Sequence, residues 1–165
     1  MFDKNSALIV LGIVALITLP FIIYSVYKKS KTKKFLTDFL HLAEQEKLNI
    51  SKNEVWNHNY AIGIDNDSGK LFYVRKEDGN LRKTLIDLSL VEKCRIDYLN
   101  RTSKSQDGIS KISDRIELIF SFRNKNTPEK AVEFYDSTEF MPTSDDMHQV
   151  ENWRNIVNSA LEKVN

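Results

Sequence analysis

Residues 7–27, ALIVLGIVALITLPFIIYSVY, carry no charged side chain, and five of the seven residues that follow are lysine. A helix of that length rises ~32 Å, which matches a hydrocarbon core of ~30 Å. The run therefore predicts an N-terminal transmembrane helix over 7–27, with the lipid bilayer as its partner. A cleaved leader fits less well, because such leaders have an apolar stretch of ~7–15 residues and a small-x-small cleavage site, and residues 24–28 offer none. Pro20 is compatible with a membrane helix, and Gly12 lacks the small partner four residues away that a GxxxG dimer face needs. Lys4 alone precedes the run, whereas Lys28, Lys29, Lys31, Lys33 and Lys34 follow it. That asymmetry predicts a single pass through the cytoplasmic (inner) membrane, N-terminus out, with the remaining chain facing the cytoplasm. The same five lysines are the candidate contacts for anionic lipid.

The expected layout is a tail over 1–6, the span over 7–27, a basic segment over 28–34, a connecting helix over 35–49 and a domain over 50–165. Six of the 24 Lys and Arg residues and one of the 23 Asp and Glu residues lie in the first 34 positions, leaving 18 basic and 22 acidic residues in the other 131. The body is thus mildly acidic, which excludes a strongly basic nucleic-acid binder. Its length suits one core and not two. A single cysteine, Cys94, excludes an internal disulfide framework and multi-cysteine zinc modules.

Periodicity divides this body into elements. Over 35–48, Phe35, Leu36, Phe39, Leu40, Leu42 and Ala43 share one helical face, opposite Thr37, Asp38, His41, Glu44 and Gln45. From Tyr60 the period becomes two: Tyr60, Ile62 and Ile64 alternate with smaller residues, residues 65–69 form a turn, and residues 70–75 resume the pattern as a hairpin partner. Further strands are expected near 83–88, 91–99, 115–123 and 131–136, with a polar flexible loop over 100–113. A helix over 145–164 follows Pro142 and an N-cap at Thr143 or Ser144, and its apolar stripe includes Val150, Trp153, Val157 and Leu161. The fold class read from this order is α+β: an antiparallel meander or partly open barrel capped by a C-terminal helix.

No pattern of catalytic or metal-binding chemistry emerges. Residues 65–70 resemble a calcium loop, but an EF-hand requires glycine at its sixth position and glutamate at its twelfth, where this chain has Lys70 and Lys76. His41, His58 and His148 show no ligand spacing. Cys94 alternates with Ile96 and Tyr98, which places it on an apolar face. The carboxylates at 136, 139, 145 and 146 are explained by a loop and a helix start. Trp56 and Trp153 read as core anchors, with Trp153 the alternative candidate for a partner contact. No P-loop, GxGxxG, GxSxG or HExxH sequence occurs. No catalytic residue, metal, cofactor or small-molecule substrate is therefore expected.

The strand order, residues 62–65 (IGID) opening a hairpin turn, and the terminal helix bearing Trp153 together resemble bacterial PH-like domains over residues 50–165. The resemblance implies two orthogonal sheets capped by a helix, and a role in recognising protein or lipid. Lipid-binding members carry a basic first hairpin loop, whereas residues 65–69 are acidic, so phosphoinositide binding is not implied. The expected function is a membrane-tethered, non-enzymatic interaction module whose partner is a cytoplasmic or membrane protein, docking at a sheet edge or beside the terminal helix. The alternative is an accessory subunit of a membrane-bound enzyme or transport complex.

Overall fold

The computed structural model describes the backbone of residues 4–105, 108–137 and 144–164, and the side chains of 14–27, 29–99, 114–137 and 147–163. The chain opens with helix α1 (Lys4–Gln45), which runs without a break through Pro20 and the lysine-rich segment. Segments expected as separate units over 28–34 and 35–49 are thus one helix up to Gln45. Among the described residues no helix is long and apolar enough to cross a membrane. This corrects the expectation of a spanning helix over 7–27, and with it the single-pass inner-membrane location and the orientation derived from the lysines. Among the described side chains the uncharged run from Val14 to Tyr27 rises ~21 Å as a helix, against a hydrocarbon core of ~30 Å, before Lys29, Lys31, Lys33 and Lys34 follow. Residues 7–13 of the expected span, and the Lys28 side chain, lie outside the described side chains.

The amphipathic half of α1 packs as its periodicity demands. Phe35, Phe39 and Ala43 are buried with Leu48, Ala61, Phe72 and Val74 in a cluster of their own. A Schellman cap ends the helix: Leu48 N–H donates to Ala43 O at 3.0 Å, Lys47 N–H donates to Glu44 O at 2.9 Å, and Lys47 takes a left-handed φ of 58°. The buried Leu48 then turns the chain into the sheet.

Strands β1 (Lys52–Trp56), β2 (Tyr60–Asp65), β3 (Lys70–Glu77) and β4 (Asn80–Asp87) form one antiparallel sheet in that order. Every residue of β2 is buried. Tyr60, Ile62 and Ile64 face the main core, whereas Ala61 packs under α1 and Gly63 lies against Phe39 and Ile50. A Cβ at Gly63 would come within 2.8 Å of Ile50 Cγ2 and 2.9 Å of Phe39 Cζ, so glycine is what lets the helix approach. The continuous apolar run Leu71, Phe72, Tyr73, Val74 in β3 follows from the same double burial. The β3–β4 turn places Asp78 and Gly79 at φ 50° and 80°, the left-handed pair that a two-residue hairpin turn selects.

Strand β1 is absent from the sequence-derived order, and its presence shifts the hairpin count. The first hairpin turn is Asn57, His58 and Asn59, with Asn57 and His58 at φ 48° and 59°. The acidic turn at 65–69 is the second. There Asp65 accepts the backbone N–H groups of Asn49 (2.9 Å), Asp67 (3.0 Å) and Ser68 (3.0 Å). Its carboxylate holds a turn together and ties it to the segment after α1.

A 3₁₀ turn (Leu88–Leu90) leads to the second sheet, β5 (Val91–Ser105), β6 (Gly108–Phe122) and β7 (Lys130–Asp136), also antiparallel and in that order. The expected loop over 100–113 is instead the outer part of the β5–β6 hairpin, paired from Asn100↔Ser113 to Ser105↔Gly108. Its sequence is polar and carries no hydrophobic period, so the backbone ladder is what shows the pairing. Helix α2 (Ser144–Val164) lays Val150, Trp153, Val157 and Leu161 onto the core formed between the two sheets. The α+β class, the antiparallel sheets and the terminal helix are observed.

Candidate functional site

Strand β5 is an edge of its sheet, and α2 runs beside it. Between them lies a groove of about 420 Å³ lined by Lys93, Cys94, Arg95, Ile96 and Tyr98 from the strand and Arg154, Asn155 and Asn158 from the helix. Its floor follows from strand alternation: Cys94 is buried and Ile96 is half-buried against the core, while Lys93 stands exposed. All the charged groups that line it are cationic. Arg95 is braced by a bidentate pair to Glu129, with Nη1 and Nη2 donating at 2.7 and 2.8 Å. Glu129, hydrogen-bonded by Arg95 and by the Ser121 hydroxyl, has its pKa lowered to about 2. Arg154 Nη2 donates to Asn155 Oδ1 at 3.2 Å, which orients the guanidinium along the helix surface.

Cys94 has the only thiol in the chain, and burial pushes its pKa up to about 12 against the weaker pull of Arg154 and Arg95. It is a neutral thiol near pH 7, a packing group rather than a nucleophile.

A second polar cluster joins the two sheets at the far side of the core. Glu133 of β7 accepts Tyr60 Oη–H at 3.0 Å and lies 2.8 Å from Arg75 Nη1 and 3.3 Å from Arg115 Nε. Arg115 also reaches Asp136 at 3.2 Å. Burial raises the Glu133 pKa, opposed by the charge of Arg75, the Tyr60 hydrogen bond and the charge of Arg115. Tyr73 Oη–H donates to Glu133 O at 2.8 Å, and Trp56 Nε1–H donates to Phe134 O at 2.9 Å. Every polar contact named here runs from one strand to another, which makes the cluster a brace between the sheets. It was not foreseen from sequence, although Arg115 and Glu117 alternating on the polar face of β6 gave a signal that β7 would carry a matching charge.

Trp153 is fully buried, and its Nε1–H donates to Glu54 Oε2 at 2.6 Å. It anchors α2 to β1 and presents no surface to a partner. Lys29, Lys31, Lys33 and Lys34 are exposed along α1, with Lys31 Nζ 4.5 Å from the centre of the Tyr27 ring. Among the described residues no group of three His, Cys, Asp or Glu side chains is placed to hold a metal. No protein-family model, curated protein or solved structure matches the chain.

Proposed function

We propose that the domain is a non-enzymatic interaction module of PH-like layout, which accepts an extended, acidic segment of a partner protein along β5. The observation that carries this reading is an edge strand walled by α2 whose groove is lined by Lys93, Arg95 and Arg154 and by no carboxylate. An edge strand offers backbone N–H and C=O groups to an added strand, which supplies affinity, while side chains along the groove supply selectivity. The four-plus-three strand order with a terminal helix supports the PH-like layout.

Selection from a display library of random peptides against the full chain is expected to enrich Asp and Glu. The enriched peptides are expected to shift the amide resonances of β5 and the middle of α2. Lys93→Glu combined with Arg154→Glu is expected to weaken their binding about tenfold or more, since two charge contacts at a partly desolvated groove exceed ~1.4 kcal/mol. Selected peptides without acidic bias, or shifts confined to other surfaces, would overturn the proposal.

A further inference from the structure

Another cavity lies on the opposite side of the first sheet from the main core. It has a volume of about 550 Å³ and is enclosed by α1, the β1–β2 turn and the β3–β4 turn. Three lysines line it: Lys31 and Lys34 on one face of α1, and Lys76 at the end of β3. Asp38 is the one carboxylate that lines it, leaving a surplus of two positive charges. Among the described residues none of the three lysines forms an ion pair with a carboxylate, although elsewhere on the surface Lys83 and Lys125 do, with Glu46 and Glu92. Three like charges lining one hollow favour an anion between them.

Several features fix this arrangement. The Thr32 hydroxyl and His58 Nδ1 lie 2.7 Å apart, which docks the β1–β2 turn onto α1 and sets the imidazole at the cavity wall. Lys76 N–H donates to Asn59 O at 2.6 Å, binding that turn to β3. Gly79 leaves open space where a side chain would stand, so the mouth stays clear. Phe35 is buried at the cavity wall.

We infer that this cavity binds a phosphomonoester, with its dianionic group among Lys31, Lys34 and Lys76 and its organic body against Phe35. A phosphomonoester carries a charge of about −1.5 to −2 near neutral pH, which balances the cationic surplus, and lysine is an established point-charge partner for phosphate. A cavity of this size exceeds what inorganic phosphate alone would fill, so an attached body is part of the inference. The site shares no residue with the β5–α2 groove, and its failure would leave that proposal untouched.

The test is a titration of the full chain with phenyl phosphate, followed by the amide resonances of His58 and Gly79. Phenyl sulfate, a monoanion of similar shape, serves as the control. Saturable shifts are expected with phenyl phosphate and weaker binding with phenyl sulfate. Lys34→Gln combined with Lys76→Gln is expected to reduce affinity about tenfold, whereas Lys33→Gln, an exposed lysine outside the cavity, is expected to leave it unchanged. Both lysines of the double variant are exposed, so the variant retains the fold, and its amide spectrum verifies this. Vesicles of phosphatidylcholine with phosphatidic acid form a second arm. Binding to them that depends on Lys34 and Lys76, without binding of phenyl phosphate, assigns the phosphomonoester to a lipid headgroup; binding of phenyl phosphate assigns it to a small molecule. Absence of saturable binding in both arms, equal affinity for phenyl sulfate, or binding indifferent to Lys34 and Lys76 overturns the inference.

Discussion

Gly63 is fixed in identity by what lies over it. With Ile50 Cγ2 and Phe39 Cζ both under 3.0 Å from the position of a Cβ, the fully buried Phe39 has no room to withdraw. Gly63→Ala is expected to cost about 1–3 kcal/mol as an overpacked core, read as a lowered urea midpoint at unchanged slope. An unchanged midpoint would show that α1 shifts freely on the sheet. Glu129 makes the opposite kind of prediction, since it sits on the surface and acts through charge. Its folded pKa of about 2 lies below the ordinary value of 4.5, so its contribution to stability is present above pH 4.5 and lost as the pH falls toward 2. Asp65 works in the same direction: burial pushes its pKa up, but the N–H groups of Asn49, Ser68 and Asp67 outweigh that and leave it lowered. Glu133, whose pKa is raised, favours the folded state on the acid side and loses that contribution as the pH rises through its folded value. Glu129→Gln is therefore expected to flatten the loss of stability between pH 4.5 and about 2, and to leave the limb above it parallel to that of the parent chain, as measured by denaturant midpoints across pH.

Helix ends and helix faces obey simpler rules. Lys47 closes the Schellman cap of α1 in a left-handed conformation that costs an L-residue ~1–2 kcal/mol and glycine little. Lys47→Gly is expected to stabilise the fold by up to ~1 kcal/mol, raising the thermal midpoint by several degrees; a lower midpoint would place the chain-entropy cost of glycine above the relief. Trp153→Ala is expected to cost ~3–5 kcal/mol, because a fully buried indole leaves a cavity and strands Glu54 without its donor. A loss under ~1 kcal/mol would mean that α2 detaches easily. The stripe that contains Trp153 was legible because 3.6-residue periodicity survives any tertiary context that buries one face. The hairpin of β2 and β3 was legible from alternation and from the turn at 65–69. Strand β1 was not, because only Val55 and Trp56 are apolar in its five residues and its start is exposed. The β5–β6 arm was not, because beyond residue 99 its sequence is polar and only backbone pairing reveals it. Nor could the groove be read from sequence, because strand and helix residues some sixty positions apart meet there with no shared periodicity. The apolar run over 7–27 is the plainest feature of all, yet among the described residues no helix is both long and apolar enough to cross a membrane.

Among the described residues the sheets and helices are held by two cores of different kinds. The main core lies between the sheets under α2, and the second lies between α1 and the outer face of the first sheet. Across the main core, Glu133 gathers Arg75, Arg115 and Tyr60 into a brace that spans both sheets. Removing its charge leaves Arg75, itself only partly accessible, opposite a neutral group. Glu133→Ala is expected to destabilise the fold more than Glu129→Ala at the surface, because Glu133 makes its contacts with Tyr60, Arg75 and Arg115 in a desolvated position. Denaturation of both variants under identical conditions checks the order, and equal losses would show that solvent reaches the brace.

The second core has a consequence for how the chain comes into being. Its residues all lie between Phe35 and Leu85, so they are complete once the first sheet has been synthesised. The inward face of that same sheet, with Tyr60, Ile62, Ile64 and Leu71, gains its cover only when residues 91–161 have followed. A nascent polypeptide halted before α2 would therefore possess a finished outer layer and an uncovered greasy interior, the kind of half-built species that chaperones capture and that aggregates when they do not.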